Sequence, residues 1–433
     1  MTKKKKRNPD HVRRRQMPGP SNEEIEAHLK ELVSPAVSSQ LGYYRQLGLR
    51  SRILSLPLMV AAVLSMVWRQ VPSVHELTRL LAREDLLWCQ AVKVTQQALS
   101  QRFLSFPAVL FERVLKELLP TLQARWQQRQ ARPLPASLSY ARQHFERIWA
   151  ADGSTLEALF RKLKVLEEVP VGQLGGKIGV VVDLLTRLPV EVWFREAPRA
   201  SDMTFVPDLL ALVKAKTLLV LDRGFYDFTF FAALIDQHVA FITRLKDNAF
   251  FIASQTLSST QTVKDRIIFL GTAQNGSPVL KLRLIEVRFG KVWYRYLTSV
   301  LDPTVLPPFV VADIYRRRWR IEEAFNTVKR LLNLSYLWTG SINGIQLQIW
   351  ATWLFYAILV DLADAVADRM GLPFDRISLE MLYRAFYHFS VAHRKGLADD
   401  PVAYFADPAN RDLAIVKSLR KPIPRLDLSP FPT

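Results

Sequence analysis

Apolar and polar positions follow two periods along this chain of 433 residues, and each period predicts a different kind of element. From residue 21 to about 140 the apolar side chains recur at helical spacing with almost no glycine. The same spacing returns in residues 345–370 and 379–392. Both end regions of the chain are therefore predicted to be helical.

The middle of the chain shows the shorter runs that are typical of strands. The predicted order is a strand at 145–152 followed by a turn at 153–155, strands at 177–186 and 190–196, a helix at 201–215, a strand at 217–222, a helix at 227–237 and a strand at 240–245. Residues 217–222 are almost wholly apolar, as in a strand covered on both faces of its sheet. A meander of three strands followed by two crossovers predicts an α/β fold with a mixed sheet.

One stretch, residues 313–332, places four chemically different groups on one face of a predicted helix. At about 100° per residue, a sector of roughly 60° holds Tyr315, Arg318, Glu322 and Lys329. Arginine and lysine bind phosphate and tyrosine can hydrogen-bond it, whereas a glutamate among them is repelled by phosphate unless a cation intervenes. The row therefore indicates a phosphate site with a metal ion. A surface helix with ion pairs at i, i+4 would give the same pattern.

Two aspartates stand near the ends of predicted strands. Asp152 ends the first predicted strand, with a Gly-Ser-Thr turn predicted after it, and Asp222 ends the fourth. An aspartate at a strand end is often only a turn former. Arg244 and Lys246, which end the fifth strand, are further candidates for phosphate contacts.

The row in residues 313–332 resembles a known signature. Its spacing is similar to the Y-R-E-K pattern of bacterial insertion-sequence transposases of the DDE class. Two residues separate Tyr315 from Arg318, three separate Arg318 from Glu322, and six separate Glu322 from Lys329. The segment at 223–227, RGFYD, resembles that family's sequence around its second catalytic aspartate. The resemblance implies a ribonuclease H-like fold in which Asp152 and Asp222 meet and Glu322 is the third catalytic acid.

The resemblance also implies a reaction and its partners. Three convergent carboxylates can hold two Mg²⁺ ions, or Mn²⁺ in their place, about 4 Å apart for phosphoryl transfer. Asp152 would bridge the two ions, and Asp222 and Glu322 would each complete one. A cut-and-paste transposase of this kind acts as a homodimer on double-stranded DNA, cleaving the terminal inverted repeats and joining each 3′-hydroxyl to target DNA.

Other residues receive DNA-binding roles in this interpretation. Arg318 and Lys329 would hold the DNA backbone beside the scissile bond, and Tyr315 would fix a phosphate. Trp319, about 40° from the row, and Trp293 would lie near the bases. The aromatic run at 292–296 could equally pack a small β-layer.

Four regions are expected along the chain. They are a basic arm at 1–20, a helical DNA-binding domain at 21–138, a ribonuclease H-like catalytic domain at 139–340 with a β-strand insertion at 249–306, and a helical C-terminal region at 341–433 that would support dimerisation. Within the second region, residues 94–103 could form the recognition helix of a helix-turn-helix that presents Gln96, Gln97, Gln101 and Arg102 to a DNA groove, or an ordinary amphipathic helix.

Charge agrees with a nucleic-acid partner. The chain has 59 basic and 40 acidic residues, a net charge of +19, which a ribosome-associated or membrane-surface protein would also show. Residues 1–20 hold eight Lys and Arg against one Asp and would add affinity for DNA or simply solubility.

Compartment and membrane association follow from other features. Cys89 is the single cysteine, so the chain has no internal disulfide, and a reducing compartment such as the bacterial cytoplasm is expected. The apolar runs at 53–68 and 350–360 are shorter than the roughly 20 residues a bilayer requires, so buried helices and no membrane partner are predicted.

Two other functions remain compatible with the sequence. A basic DNA-binding protein that does not cut would explain the charge but would not require three placed acids. A metal-dependent nuclease of the same fold would cleave DNA without joining it to a second molecule.

Overall fold

The computed structural model describes residues 23–49, 52–156, 176–272, 278–332, 334, 337–339, 341–415 and 426–432. The chain divides into two compact units, and both are discontinuous in sequence. One comprises Pro133–Thr327 with Ser418–Thr433, and the other Met1–Arg132 with Val328–Lys417. The boundaries at 138 and 340 and the roles given to the predicted regions stay predictions, and the basic arm at 1–20 lies outside the described residues.

The unit Pro133–Thr327 is built on a mixed sheet, for which the described residues supply nine strands in the order β3-β2-β1-β4-β5-β9-β8-β7-β6. The strands are β1 Arg147–Thr155, β2 Lys177–Asp183, β3 Pro189–Arg195, β4 Thr217–Leu221, β5 Ala240–Arg244, β6 Phe251–Ser259, β7 Val263–Leu270, β8 Leu280–Phe289 and β9 Val292–Thr298. β1, β2 and β3 are antiparallel neighbours, whereas β1, β4 and β5 run parallel. The predicted α/β, ribonuclease H-like sheet is confirmed.

Helices cover both faces of this sheet. On one face the buried apolar residues of β4 and β5 pack with helices Val206–Leu212 and Phe228–Asp236. On the other they pack with helices Ala136–Ala141 and Pro308–Arg317. Every residue of β4 is buried, because apolar layers lie above and below it.

The predicted insertion at 249–306 continues the same sheet. Strands β7, β8 and β9 coincide with β-prone runs of the sequence at 264–270, 279–288 and 291–299, and β9 pairs antiparallel with β5. β6 has no counterpart among the predicted strands, since its sequence mixes small polar and apolar residues and most of its side chains are exposed. The insertion therefore adds four strands, β6 to β9, to the sheet formed by β1 to β5.

Within its described residues the helical unit contains nine α-helices, six before the sheet and three after it, along with 3₁₀ turns. Before the sheet they are Glu23–Ser39, Leu41–Gln46, Leu56–Trp68, Val74–Leu81, Gln96–Ser105 and Val109–Gln128, and after it Ile342–Arg369, Leu379–Arg394 and Pro401–Ala406 follow. Helix Leu56–Trp68 is almost wholly buried, as predicted for the apolar run at 53–68.

Helix Ile342–Arg369 is long and apolar enough to cross a membrane, but 94% of its apolar window is buried within the protein. Its two buried carboxylates face basic partners of the same unit: Asp361 lies 2.8 Å from Arg129, and Asp364 lies 3.0 Å from Arg129. These pairs neutralise charge inside the unit. The run at 350–360 therefore lies in a buried helix, as predicted.

The structure corrects one residue of the predicted recognition helix. Helix Gln96–Ser105 begins after Thr95, whose hydroxyl accepts from the backbone of Ala98. Arg102 donates to the Tyr44 hydroxyl at 2.6 Å and to the Leu54 carbonyl at 3.1 Å. Both hydrogen bonds lie within the helical unit. The Arg102 guanidinium therefore stabilises that unit and is not available to contact a DNA groove.

Candidate active site

Asp152 and Asp222 are brought together by strand register. β1 and β4 pair in parallel, and the last residues of that pairing are Ala151 and Leu221. Each aspartate is the next residue along the chain, so the two carboxylates emerge side by side where the parallel pair ends. Asp222 directly follows β4, whereas β1 continues past Asp152 to Thr155, so the predicted turn at 153–155 is wrong: these residues still pair with β2. Asp222 then caps a 3₁₀ turn and accepts from the Gly224 amide at 3.3 Å. The predicted meeting of residues 70 positions apart in sequence has a simple geometric cause.

The third acid reaches this point from a helical segment that differs from the single predicted helix. The segment consists of helices Pro308–Arg317 and Trp319–Asn326, joined at Arg318, and then a π-helical turn, Thr327–Leu331. Helix Trp319–Asn326 packs against β1 and β2, which brings Glu322 to the same end of the sheet.

The π-helical turn changes the predicted row of side chains. Its hydrogen bonds span five residues instead of four, so a count of 100° per residue does not extend across it. Lys329 lies on this turn and belongs to the helical unit. Its place beside Tyr315, Arg318 and Glu322 stays a prediction.

Arg318 joins the three acids. Its Nη1 lies 3.0 Å from Oδ2 of Asp152, and its Nη2 lies 2.8 Å from Oε1 of Glu322. The same Nη2 is 3.4 Å from Oδ1 of Asp222. The guanidinium is nearly buried, whereas Asp222 and Glu322 are partly exposed. Three carboxylates and one guanidinium therefore share a small region that opens to solvent on one side.

The electrostatics of this region are dominated by Asp152. Burial raises the pKa of Asp152 to about 7, and repulsion from Asp222 and Asp202 acts in the same direction. Arg318 and the Gly153 amide oppose this rise. The raised pKa means that burial and the two neighbouring acids disfavour the charged form of Asp152 by more than Arg318 and the amide favour it.

The donor set suits a hard divalent cation. All three acids offer oxygen, the ligand that Mg²⁺ and Mn²⁺ prefer, and all three lie against the one guanidinium of Arg318. In the described part of the chain no three His, Cys, Asp or Glu side chains are drawn together tightly enough to hold one metal ion. The guanidinium of Arg318 contacts all three carboxylates.

A cluster of tyrosines and arginine adjoins the acids. The Arg318 guanidinium lies 5.8 Å from the centre of the Tyr315 ring, and burial raises the pKa of Tyr315. Tyr296 on β9 lies 5.4 Å from Tyr315, ring to ring. Arg244, at the end of β5, acts electrostatically on both tyrosines. Hydroxyls and guanidinium groups of this kind can bind phosphate oxygens.

The other predicted DNA-binding residues have separate surroundings. Trp319 is 59% exposed, which is high for a tryptophan. Lys264 lies over the Trp293 ring at 5.1 Å. Lys246 lies over the Tyr226 ring at 4.8 Å and donates to the Tyr226 carbonyl at 3.5 Å.

Sequence reasoning missed two charged residues beside the acids. Asp202 lies close enough to Asp152 to influence its pKa, and Lys177 lies 2.6 Å from Asp202. Neither residue has a spacing that marks it. Gly153 and Gly224 could have indicated that another group packs beside the two aspartates, since glycine often marks a close approach to the backbone.

Comparison with known proteins points to one family. A family model described as "Transposase DDE domain" matches residues 171–358, which include Asp222 and Glu322 but not Asp152. The chain is 28% identical over 174 residues to a probable transposase for insertion sequence element IS5377 of Geobacillus stearothermophilus, covering 39% of this chain and 45% of that protein. It is 20% identical over 177 residues to a putative transposase of Sinorhizobium fredii, covering 39% of this chain and 47% of that protein.

The chain thus spans about half the length of the curated relatives it matches. Residues 171–327 of the match belong to the unit in which strand register and Arg318 bring the acids together, and residues 328–358 belong to the helical unit. With its match to a transposase DDE domain and its ribonuclease H-like sheet, this chain is similar to the DDE transposases of insertion sequences.

Proposed function

We propose that this chain is a DNA transposase that cleaves the ends of its element and joins the freed 3′-hydroxyl to target DNA. One observation carries the proposal: Asp152, Asp222 and Glu322 all lie within 3.4 Å of one guanidinium, that of Arg318. Three carboxylates from two strand ends and a helix are more than a turn or a surface ion pair requires. The family match adds the chemical class of the substrate.

Asp152, Asp222 and Glu322 are the residues that would hold divalent cations. Two Mg²⁺ ions, or Mn²⁺ in their place, supply positive charge for the attacked phosphate and for the attacking and leaving oxygens. The chain's own contribution is to fix three carboxylates at one end of a rigid sheet. Burial of Asp152 keeps that carboxylate away from bulk water, where its charge would be screened.

The basic and aromatic side chains would position DNA beside these acids. Arg318 and Tyr315 are in contact with each other, and Arg244 acts on the same tyrosine, so a phosphate entering here would meet donors from three elements. Lys246 and Lys329 would bind neighbouring phosphates. Trp319 presents an exposed ring that could stack on an unpaired base, and Trp293 would serve likewise.

The proposed substrate is double-stranded DNA that carries terminal inverted repeats, with a second DNA as target. Two copies of the chain would act together, one for each end, on the bacterial nucleoid in the cytoplasm. The name of the Geobacillus relative refers to an insertion sequence element, which supports this substrate. The net charge of +19 supports the long-range attraction that a polyanion requires.

A cleavage and joining assay tests the proposal. A labelled fragment with the element's own ends is incubated with the wild type, with Asp152→Asn and with the control Glu146→Gln, an exposed acid just before β1. We expect Mg²⁺-dependent nicking and joining to a second DNA by the wild type and the control. Asp152→Asn should bind DNA without cutting it.

Two results would contradict the proposal. DNA binding without cleavage by the wild type would identify a DNA-binding protein that does not cut. Cleavage without any joined product would identify a nuclease.

A further inference from the structure

Asp202 fills the space beside two glycines that adjoin the catalytic aspartates. It begins the 3₁₀ turn Asp202–Phe205, which follows β3. A β-carbon placed on Gly153 would lie 2.0 Å from its Oδ1, and one placed on Gly224 would lie 2.2 Å from its Oδ2. Both distances are far below ordinary contact. A single carboxylate therefore packs against the backbone of both segments, with one oxygen toward each.

The same two glycines orient the acids. The Gly153 amide donates to Oδ1 of Asp152 at 2.8 Å, and the Gly224 amide donates to Oδ2 of Asp222 at 3.3 Å. Movement of either glycine would therefore turn the carboxylate that its amide holds. Asp202 touches both segments, so its position is coupled to the separation of the two acids.

Lys177 keeps Asp202 in this position. Its Nζ lies 2.6 Å from Oδ1 of Asp202 and donates to the Ala200 carbonyl at 2.6 Å. The side chains of Lys177 and Asp202 are only 13% and 18% exposed. Lys177 begins β2 directly across from Thr155, the last residue of β1. The ion pair thus ties the 3₁₀ turn to the end of the strand pair that carries Asp152.

We propose that Asp202 is a positioning residue that sets the distance between Asp152 and Asp222, with Lys177 as its counter-ion. The proposal rests on the proposed function, because it assigns these two aspartates to the metal-binding set. Asp202 itself touches neither substrate nor metal in this account. It acts through the backbone of Gly153 and Gly224.

A mutant cycle tests the packing step without metal or DNA. The three atoms nearest a β-carbon on Gly224 all belong to Asp202, and the backbone there is not left-handed, so alanine is excluded by this side chain alone. We expect Gly224→Ala to lower the melting temperature by several degrees in the wild type. In an Asp202→Ala background most of that loss should disappear, because only a contact near 3.4 Å remains. An equal loss in both backgrounds would overturn the packing step.

Metal binding tests the positioning step. Mn²⁺ is titrated calorimetrically into the full chain, into Asp202→Asn, which keeps the shape and loses the charge, and into Asp202→Ala. We expect both variants to bind Mn²⁺ about 10-fold more weakly, as when an outer residue that orients metal ligands is removed. The matched control is Asp208→Asn, an acid six residues later whose partner is Arg195, and it should bind as the wild type does.

The outcomes separate this proposal from the proposed function. Wild-type affinity for Mn²⁺ in both Asp202 variants overturns the positioning role, whatever the DNA assay gives. If the wild type binds Mn²⁺ and the Asp202 variants bind it more weakly, the positioning role stands even where no DNA is cleaved. In that case the proposed function alone fails.

Discussion

The Arg318 guanidinium lies 3.0 Å from the Asp152 carboxylate and also bridges Asp222 and Glu322. Without metal, this arginine is the counter-ion of the three acids. A divalent cation held by these carboxylates would compete with the guanidinium for the same oxygens, so Arg318 would move outward on metal binding. Arg318 would then be free to meet a phosphate of the bound DNA.

Arg318→Ala should separate these two effects. Without metal the three carboxylates would repel one another, and we expect a loss of about 1–3 kcal/mol in the free energy of unfolding, less than for a fully buried pair because Asp222 and Glu322 are partly exposed. Added Mg²⁺ should stabilise the variant more than it stabilises the wild type. Urea unfolding in EDTA and in Mg²⁺ measures both quantities.

Arg316→Ala provides the control for that experiment. Arg316 lies on the same helical segment, but its side chain is 62% exposed and pairs with Asp313. Its removal should leave the response to Mg²⁺ unchanged. Equal stability of Arg318→Ala and the wild type in EDTA would show that Arg318 is not the counter-ion of the acids.

Trp319 offers a test of the DNA-binding surface. Because its ring is 59% exposed, Trp319→Ala should change the free energy of unfolding by no more than about 0.5 kcal/mol. Loss of a stacked base should weaken DNA binding by about 10-fold, equivalent to the 1–3 kcal/mol typical of base–aromatic stacking. Fluorescence anisotropy with a labelled transposon end measures the affinity. Unchanged affinity would remove Trp319 from the interface.

Asp313 should make the stability of the sheet unit depend on pH. Burial alone would raise its pKa, but Arg317, Ser137 and Arg316 together lower the pKa below its ordinary value of 3.8. An acid with a lowered pKa stabilises the folded state above that ordinary value, and the contribution is lost as pH falls through the folded pKa. Asp313→Asn should therefore be less stable than the wild type at pH 7, by about 1–2 kcal/mol.

The difference between Asp313→Asn and the wild type should shrink below about pH 4, where the wild-type carboxyl also becomes neutral. Urea unfolding of both proteins between pH 3 and pH 7 gives this difference directly. A gap that stays constant over the whole range would show that Asp313 carries no pH-dependent stability.

The widened part of the sheet contains a buried ion pair with its own prediction. Arg283 on β8 lies 2.5 Å from Asp265 on β7, and both side chains are 0% exposed. Arg283 also donates to the Leu306 carbonyl at 2.8 Å. Asp265→Ala should cost about 3–5 kcal/mol, because it leaves a buried guanidinium without its partner.

Replacing both members of that pair gives the complementary result. Asp265→Leu combined with Arg283→Met should be more stable than Asp265→Ala, since no uncompensated charge remains buried. Denaturant unfolding ranks the three proteins. A double variant less stable than Asp265→Ala would show that the pair contributes a net stabilisation of its own.

The sequence predicted the sheet well because its first five strands have strong local patterns. The observed ends of β1 to β5 differ from the predicted ends by three residues at most. Strand β4 was recognisable from its apolar residues alone. Strand β6 escaped prediction because its mostly exposed side chains impose no apolar pattern. Local signals are strongest where burial is greatest.

The candidate site was predictable only in part. The spacing of Tyr315, Arg318 and Glu322 is a local feature of a helix, and the contacts among these residues follow from it. The π-helical turn before Lys329 could not be foreseen, because residues that favour α-helix also fill that turn. The role of Asp202 could not be predicted for a different reason. Its partners Gly153 and Gly224 are far away in sequence and contact it only in the folded chain.

The central claim is that Asp152, Asp222 and Glu322 together perform metal-dependent chemistry on DNA. Its most direct test compares Glu322→Gln with Glu323→Gln, a neighbouring acid whose side chain is 55% exposed and pairs with Arg320. The measurement is the rate of Mg²⁺-dependent cleavage of a DNA fragment that carries the element's own ends. The account predicts a loss of at least about 100-fold for Glu322→Gln, as for removal of a group that acts in the transition state, and nearly wild-type cleavage for Glu323→Gln. Cleavage by Glu322→Gln at the wild-type rate would contradict it.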